Sequence, residues 1–170
     1  MKKTIFFLSI LCISFHLYSQ SFSSQKGGNC FTIDIPDYMT KTYELNDNSS
    51  IQYINISKEA YMIVIEDSKE QLESKGMKFV SPKDFLENFL NDFKKDSNKR
   101  KLSAYVNFES NGYKHSQVEF TWEQEGTEFY MLLTIAETNK HFYNIMCWTI
   151  MDNKKMLKDD YLKISKSIVE

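Results

Sequence analysis

The feature that most constrains this chain is a succession of strand-like runs between residues 102 and 150, cut by short polar turns. Leu102, Ala104, Val106 and Phe108 alternate with Ser103, Tyr105 and Asn107, which is the two-residue period of a strand. Asn111-Gly112 follows, a pair whose members both accept positive φ and so close a tight hairpin. From Tyr113 to Glu123, Val118, Phe120 and Trp122 alternate with Gln117, Glu119 and Thr121. Glu125-Gly126 turns the chain into Phe129 to Ala136, apolar on both sides apart from Thr134. Thr138-Asn139-Lys140 then leads into His141 to Ile150, again nearly all apolar. The pattern predicts a four-stranded antiparallel meander. Strands that are apolar on both sides need cover on both faces of their sheet, so the chain must supply two further layers.

Two helical stripes can do so. Ser81-Pro82-Lys83-Asp84 places a capping Ser before a Pro at the first helical position, with an acid three residues on, a strong start signal. Phe85, Leu86, Phe89, Leu90 and Phe93 then recur at helical spacing, predicting a buried face over 81–94. Full burial would make Phe89→Ala cost about 3–5 kcal/mol. The second stripe is Met156, Leu157, Tyr161, Ile164 and Ile168, after a polar Asp152-Asn153 start. Upstream, Cys30 to Ile35 reads as a strand ended by Pro36, and 37–50 as a polar connection. Ile51 to Ser57 and Ala60 to Ile65, separated by Lys58-Glu59, read as a hairpin. The expected class is α+β, an α/β/α sandwich on a largely antiparallel sheet: hairpin, helix, four-stranded meander, C-terminal helix.

The first twenty residues stand apart from this pattern. Met1-Lys2-Lys3, an apolar run from Ile5 to Leu17 and the small polar Tyr18-Ser19-Gln20-Ser21 follow the order of a cleavable signal peptide, and the run is too short to span a bilayer. Leu11 precedes Cys12, where a lipoprotein signal needs a small residue. Residues 1–20 are therefore expected to be removed, 21–29 to form a flexible mature terminus and 30–170 to form one domain. The expected location is periplasmic or secreted, with no transmembrane segment after cleavage.

The net charge is −2 and becomes more negative once Lys2 and Lys3 leave with the signal. Such acidity argues against nucleic acid or an anionic membrane surface as partner. The one basic cluster, Lys94-Lys95 with Lys99-Arg100-Lys101, reads as a solvated loop between helix and strand. Cys30 and Cys147 survive maturation. Export permits a disulfide between them, and an apolar strand around Cys147 equally suits a buried thiol.

The opening Phe31-Thr32-Ile33-Asp34-Ile35-Pro36, the Ser-Pro-capped helix, the meander with Asn111-Gly112 and the ending Tyr161-Leu162-Lys163-Ile164-Ser165-Lys166-Ser167-Ile168 together resemble the PsbP-like superfamily, which also holds DcrB-like proteins. The resemblance covers about residues 30–170. It implies an α/β/α sandwich and a non-enzymatic binding or assembly role, and no motif here matches the metal- or Ran-binding residues of particular members.

No catalytic constellation is legible. His115 and His141 fall on strands with one strand between them, about 10 Å apart, too far to share a metal. They read as surface or edge histidines. No Gly-x-Ser-x-Gly and no phosphate-binding glycine loop is present. Glu119, Glu123, Glu125 and Glu128 flank one turn without a calcium-loop pattern. No catalytic residue, cofactor or metal is therefore assigned. Of the 13 Phe and 10 Tyr, most are needed to fill two helix–sheet interfaces. Tyr105, Tyr113, Tyr130 and Tyr143 are the candidate partner or ligand surface. The expected function is exported, non-enzymatic binding of another envelope or extracellular protein. The alternatives are a carrier of a small apolar ligand and a hydrolase without a recognisable motif.

Overall fold

The structure is a computed structural model and describes residues 20–28 and 30–170. The signal-like segment thus lies, apart from Gln20, outside the described residues. Strands β1 (Phe22–Gly27) and β2 (Phe31–Pro36) form a two-stranded ribbon. The main sheet holds β3 (Thr40–Lys41), β4 (Ile51–Asn55), β5 (Ala60–Ser68), β6 (Asn98–Leu102), β7 (Val106–Ser110), β8 (Tyr113–Gln124), β9 (Thr127–Glu137) and β10 (His141–Ile150). Helix α1 (Lys69–Ser74) follows β5, α2 (Pro82–Asp92) precedes β6, and α3 (Lys154–Lys166) follows β10. The sheet order is β3-β4-β5-β10-β9-β8, with β6 and β7 side by side along the outer edge of β8. Every pairing is antiparallel. This is the α+β sandwich expected from the pattern.

The hydrogen-bond register explains the two-sided strands. β10 pairs with β9 on one side and β5 on the other, so it lies in mid-sheet. Its Phe142 and Met146 pack in the cluster under α2, while Tyr143, Ile145 and Cys147 pack in the cluster under α3. Ser81 caps α2 by accepting from Asp84 N–H, and Pro82 opens it. At its other end Arg100 donates to the Leu90 carbonyl at 2.6 Å, satisfying an orphan acceptor of the last turn.

Several expectations are corrected. Most of the terminus expected to be flexible over 21–29 is a strand, because Phe22–Gly27 pairs along all of β2. The ribbon, not α3 alone, covers the second face, and Phe31, Ile33 and Ile35 sit in the same cluster as Leu157, Tyr161 and Ile164. Val169 pairs with Thr32 on the free edge of β2 through two hydrogen bonds, at 2.7 and 2.9 Å. Ser167 Oγ accepts from Asp34 N–H, so the tail completes the ribbon. The single strand expected over 102–108 is two, β6 and β7. Ser103 breaks it, and its hydroxyl accepts from Glu119 N–H at 3.0 Å. Leu102 and Val106 are left exposed on this edge. The basic segment read as a loop is partly β6 itself, and lysines along an edge discourage pairing with another sheet. In α3, Met156 is exposed and outside the buried stripe.

Candidate functional site

Two places collect side chains that packing alone does not explain. The first is a groove on the α2 face. α2 has 11 residues, a length of about 16 Å, and it lies over β8 and β9. Beside it, parts of β5 and β10 border an opening on this face. Ile63, Met146 and Trp148 there face a groove of about 590 Å³, bordered by Phe89 of α2, by Phe93 just after it and by Leu45. Trp122 and Phe129 stack at its floor, 5.0 Å between ring centroids. Phe89 and Phe93 stack at its wall, and Trp148 stacks on Tyr61. Lys94, Gln124 and Asn46 supply its polar rim. Phe85, Leu86 and Leu90 are buried as expected, whereas Phe89 and Phe93 are only partly so. The reason is geometric: both rings line the open groove.

The second place lies on the opposite face, where the β1–β2 turn crosses the ends of β5 and β10. In the β5–β10 register Glu66 is opposite Tyr143 and His141 opposite Ser68, so Glu66, Tyr143 and His141 project to one side as direct and diagonal neighbours. The ribbon adds Cys30 from above and the tail adds Glu170. His141 Nε2 lies 3.3 Å from Glu66 Oε1, and its Nδ1 meets a Glu170 carboxylate oxygen. Tyr143 donates to the same Glu170 oxygen at 3.1 Å. Burial opposes the Glu170 charge, but hydrogen bonds from His141, Thr138 and Tyr143 outweigh it and hold its carboxyl below the usual range. Burial, then the Glu170 charge, pushes the Tyr143 hydroxyl far up, so it stays a neutral donor.

The four tyrosines singled out in the sequence do not form one surface. Tyr130 and Tyr143 are fully buried on the α3 face. Tyr105 packs at the margin of the α2 cluster. Tyr113 sits beside the tail, where its hydroxyl accepts from Glu170 N–H at 3.2 Å. Alternation placed them wrongly because the broken edge strand puts Tyr105 between β6 and β7. His115 is not at the surface either. It is 1 % exposed, stacked on Phe108 at 4.8 Å, and burial lowers its pKa. Cys30 and Cys147 are not joined by a disulfide. Cys147 lies in the core with a thiol that burial pushes far up, which makes it a poor nucleophile. The four turn-flanking acids do not converge: Glu119 binds Lys154 and Lys158, while Glu123 and Glu128 turn to Lys99.

The sequence signal that could have found the groove was the aromatic surplus around Trp122, Phe129 and Trp148. Nothing in spacing pointed to Cys30, Glu66 and His141 as neighbours. Among the described residues, no helix is long and apolar enough to cross a membrane.

No family model matches the chain, and no curated protein matches its sequence. Solved structures do match in shape. Cyanobacterial PsbP (CyanoP) from Synechocystis sp. PCC 6803 superposes with TM-score 0.65 at 11% identity, over 91% of this chain and 95% of that one. LpqN of Mycobacterium tuberculosis, involved in cell envelope biogenesis, gives 0.59 at 12% identity over 89% and 91%. PA94 of Pseudomonas aeruginosa, a protein of unknown function, gives 0.54 at 12% over 88% and 96%. The chain has the PsbP-like fold that its motifs resemble. At these identities the likeness is one of fold.

Proposed function

We propose that this chain is an exported, non-enzymatic binding protein that receives an apolar segment of another envelope or extracellular protein in the groove beside α2. The observation that carries the reading is the open, aromatic lining of that groove on a rigid sheet. Half-buried Phe89, Phe93, Phe129 and Trp148 are held by neighbouring rings rather than by a closing element. Aromatic side chains on a fixed scaffold offer contact area at little entropic cost, as binding hot spots do. LpqN, of the same fold, is described as involved in cell envelope biogenesis, which agrees with an export-dependent assembly role.

A second reading is favoured by the volume. About 590 Å³ falls within the range of small-ligand sites, so a carrier of an apolar small molecule is the alternative. Both tryptophans of the chain, Trp122 and Trp148, line the groove, so its intrinsic tryptophan emission reports on nothing else.

A photoreactive benzoylphenylalanine at Phe89, introduced in the producing cell, tests the reading. The control is the same group at Asn88, which is exposed on the other side of the helix. The expected result is an adduct with a mapped segment of one protein at 89 and not at 88. A synthetic peptide of that segment should then shift the Trp emission. A lipid-sized adduct alone would establish the carrier, and equal labelling at both positions would refute the groove.

A further inference from the structure

Three donor atoms of different chemistry converge beneath the β1–β2 turn. Cys30 Sγ, a Glu66 carboxylate oxygen and a His141 ring nitrogen all lie within 4.8 Å of one another. In a tetrahedral zinc site, bond lengths of about 2.3 Å to sulfur and 2.0–2.1 Å to nitrogen place the donors roughly 3.3–3.6 Å apart. The edge between His141 Nε2 and Glu66 already has this length, at 3.3 Å. The sulfur has about an ångström to close.

The surroundings of His141 are those of a metal ligand. Its Nδ1 is held by the Glu170 carboxylate, and Tyr143, 3.3 Å from that nitrogen, donates to the same carboxylate. A ligating histidine commonly gives its second N–H to a carboxylate, which fixes both ring angle and tautomer. His141 then faces the Glu66 carboxylate and the Cys30 thiol, three donors that a single cation can engage together. Gly28 adopts φ +55° and passes the Glu66 carboxylate at contact distance, so the turn lies directly against this donor. The His141 and Glu66 side chains keep 14 and 19 % exposure, which leaves a path for an ion.

We propose that Cys30, Glu66 and His141 form a zinc site, with Glu170 and Tyr143 positioning His141. The mixed sulfur, nitrogen and oxygen set suits zinc and disfavours calcium or magnesium, which take oxygen donors. Three protein ligands leave a fourth position for water or for a donor from a bound partner. The site joins the ribbon to β5 and β10, so metal would fasten the segment that precedes β2 to the sheet.

The purified exported protein, stripped with chelator, is titrated with cobalt(II) and then with zinc. Expected are one equivalent of cobalt with a thiolate-to-metal absorption band, its displacement by zinc, and slower alkylation of Cys30 once zinc is bound. Cys30→Ser and His141→Gln should each weaken zinc binding at least tenfold. Glu170→Gln should weaken it by about 10–100-fold, as for other carboxylates behind a ligating histidine. No thiolate band in the wild-type protein would overturn the proposal, whatever the variants do. So would zinc affinity unchanged in a folded Cys30→Ser protein, which would leave His141 as a plain ion pair between two carboxylates.

Discussion

Leu86 and Phe89 are one turn apart on α2 and should respond very differently to truncation. Leu86 is 0 % exposed, enclosed by the sheet. Leu86→Ala leaves a sealed void, and buried Leu→Ala changes cost about 3–5 kcal/mol through lost transfer energy plus the cavity. That is a large fraction of the 5–15 kcal/mol that holds a typical domain folded. Phe89 is larger but lines an open groove, so its removal creates no sealed cavity. Only the part of its surface that was dry is lost. At about 25 cal/mol per Å², and with roughly half of the 150–250 Å² that a buried aromatic removes from water, the cost is about 2–3 kcal/mol at most. The stacked Phe93, 4.9 Å away, can settle into part of the gap. The expectation of 3–5 kcal/mol drawn from helical spacing is thereby lowered. Urea unfolding followed by far-UV circular dichroism, with midpoints compared at constant slope, gives both numbers. If Phe89→Ala proves as costly as Leu86→Ala, the groove is a closed core and the binding reading loses its site.

Gly27 sits where a built Cβ would come within 2.2 Å of the Phe31 ring. Gly27→Ala should therefore destabilise by about 1–3 kcal/mol through overpacking, and Phe31→Leu in the same chain should restore part of the loss in a double-mutant cycle. Burial opposes the Glu119 charge, but Lys154 and Lys158 hold its carboxyl below the usual range. Its stabilising contribution is then present above the unfolded carboxylate pKa and lost as pH falls through the lower folded value. Acid unfolding of Glu119→Gln should show a shallower decline than wild type over that window, and an identical decline would refute the pairing. Cys147 should resist alkylation in the native protein and react only after unfolding, as read by mass spectrometry of labelled peptides. Rapid labelling without denaturant would show that β10 is not in mid-sheet.

The legible parts of this molecule are those whose determinants are local. Asn111 and Gly112 both take positive φ, at 53° and 79°, as the dipeptide implied. Ser81 and Pro82 start α2 where the capping signal stood. β1 was invisible because Phe22-Ser23-Ser24-Gln25-Lys26-Gly27 buries only Gly27 fully and shows no apolar alternation, and the strand is held by backbone pairing. The broken edge was hidden because Leu102 to Phe108 keeps a faultless alternation. What parts β6 from β7 is a hydroxyl of Ser103 bonded to a strand neighbour far along the chain. The cluster around His141 failed for the same reason. His115, its nearest counterpart in type, lies two strands away, whereas its true neighbours come from β5, the ribbon and the tail. Sheet order decides that proximity, and no window of sequence carries the position of β5 beside β10.

The pairing of β2 with the tail has a kinetic consequence. The backbone N–H of Asp34 and the hydroxyl of Ser167 are 133 residues apart, so this bond closes a loop nearly as long as the domain. Loop-closure entropy delays contacts of that span relative to hairpins such as β8–β9. During synthesis the ribbon waits for residues 167–169 before its second edge can be filled, and the first strands made are among the last to settle.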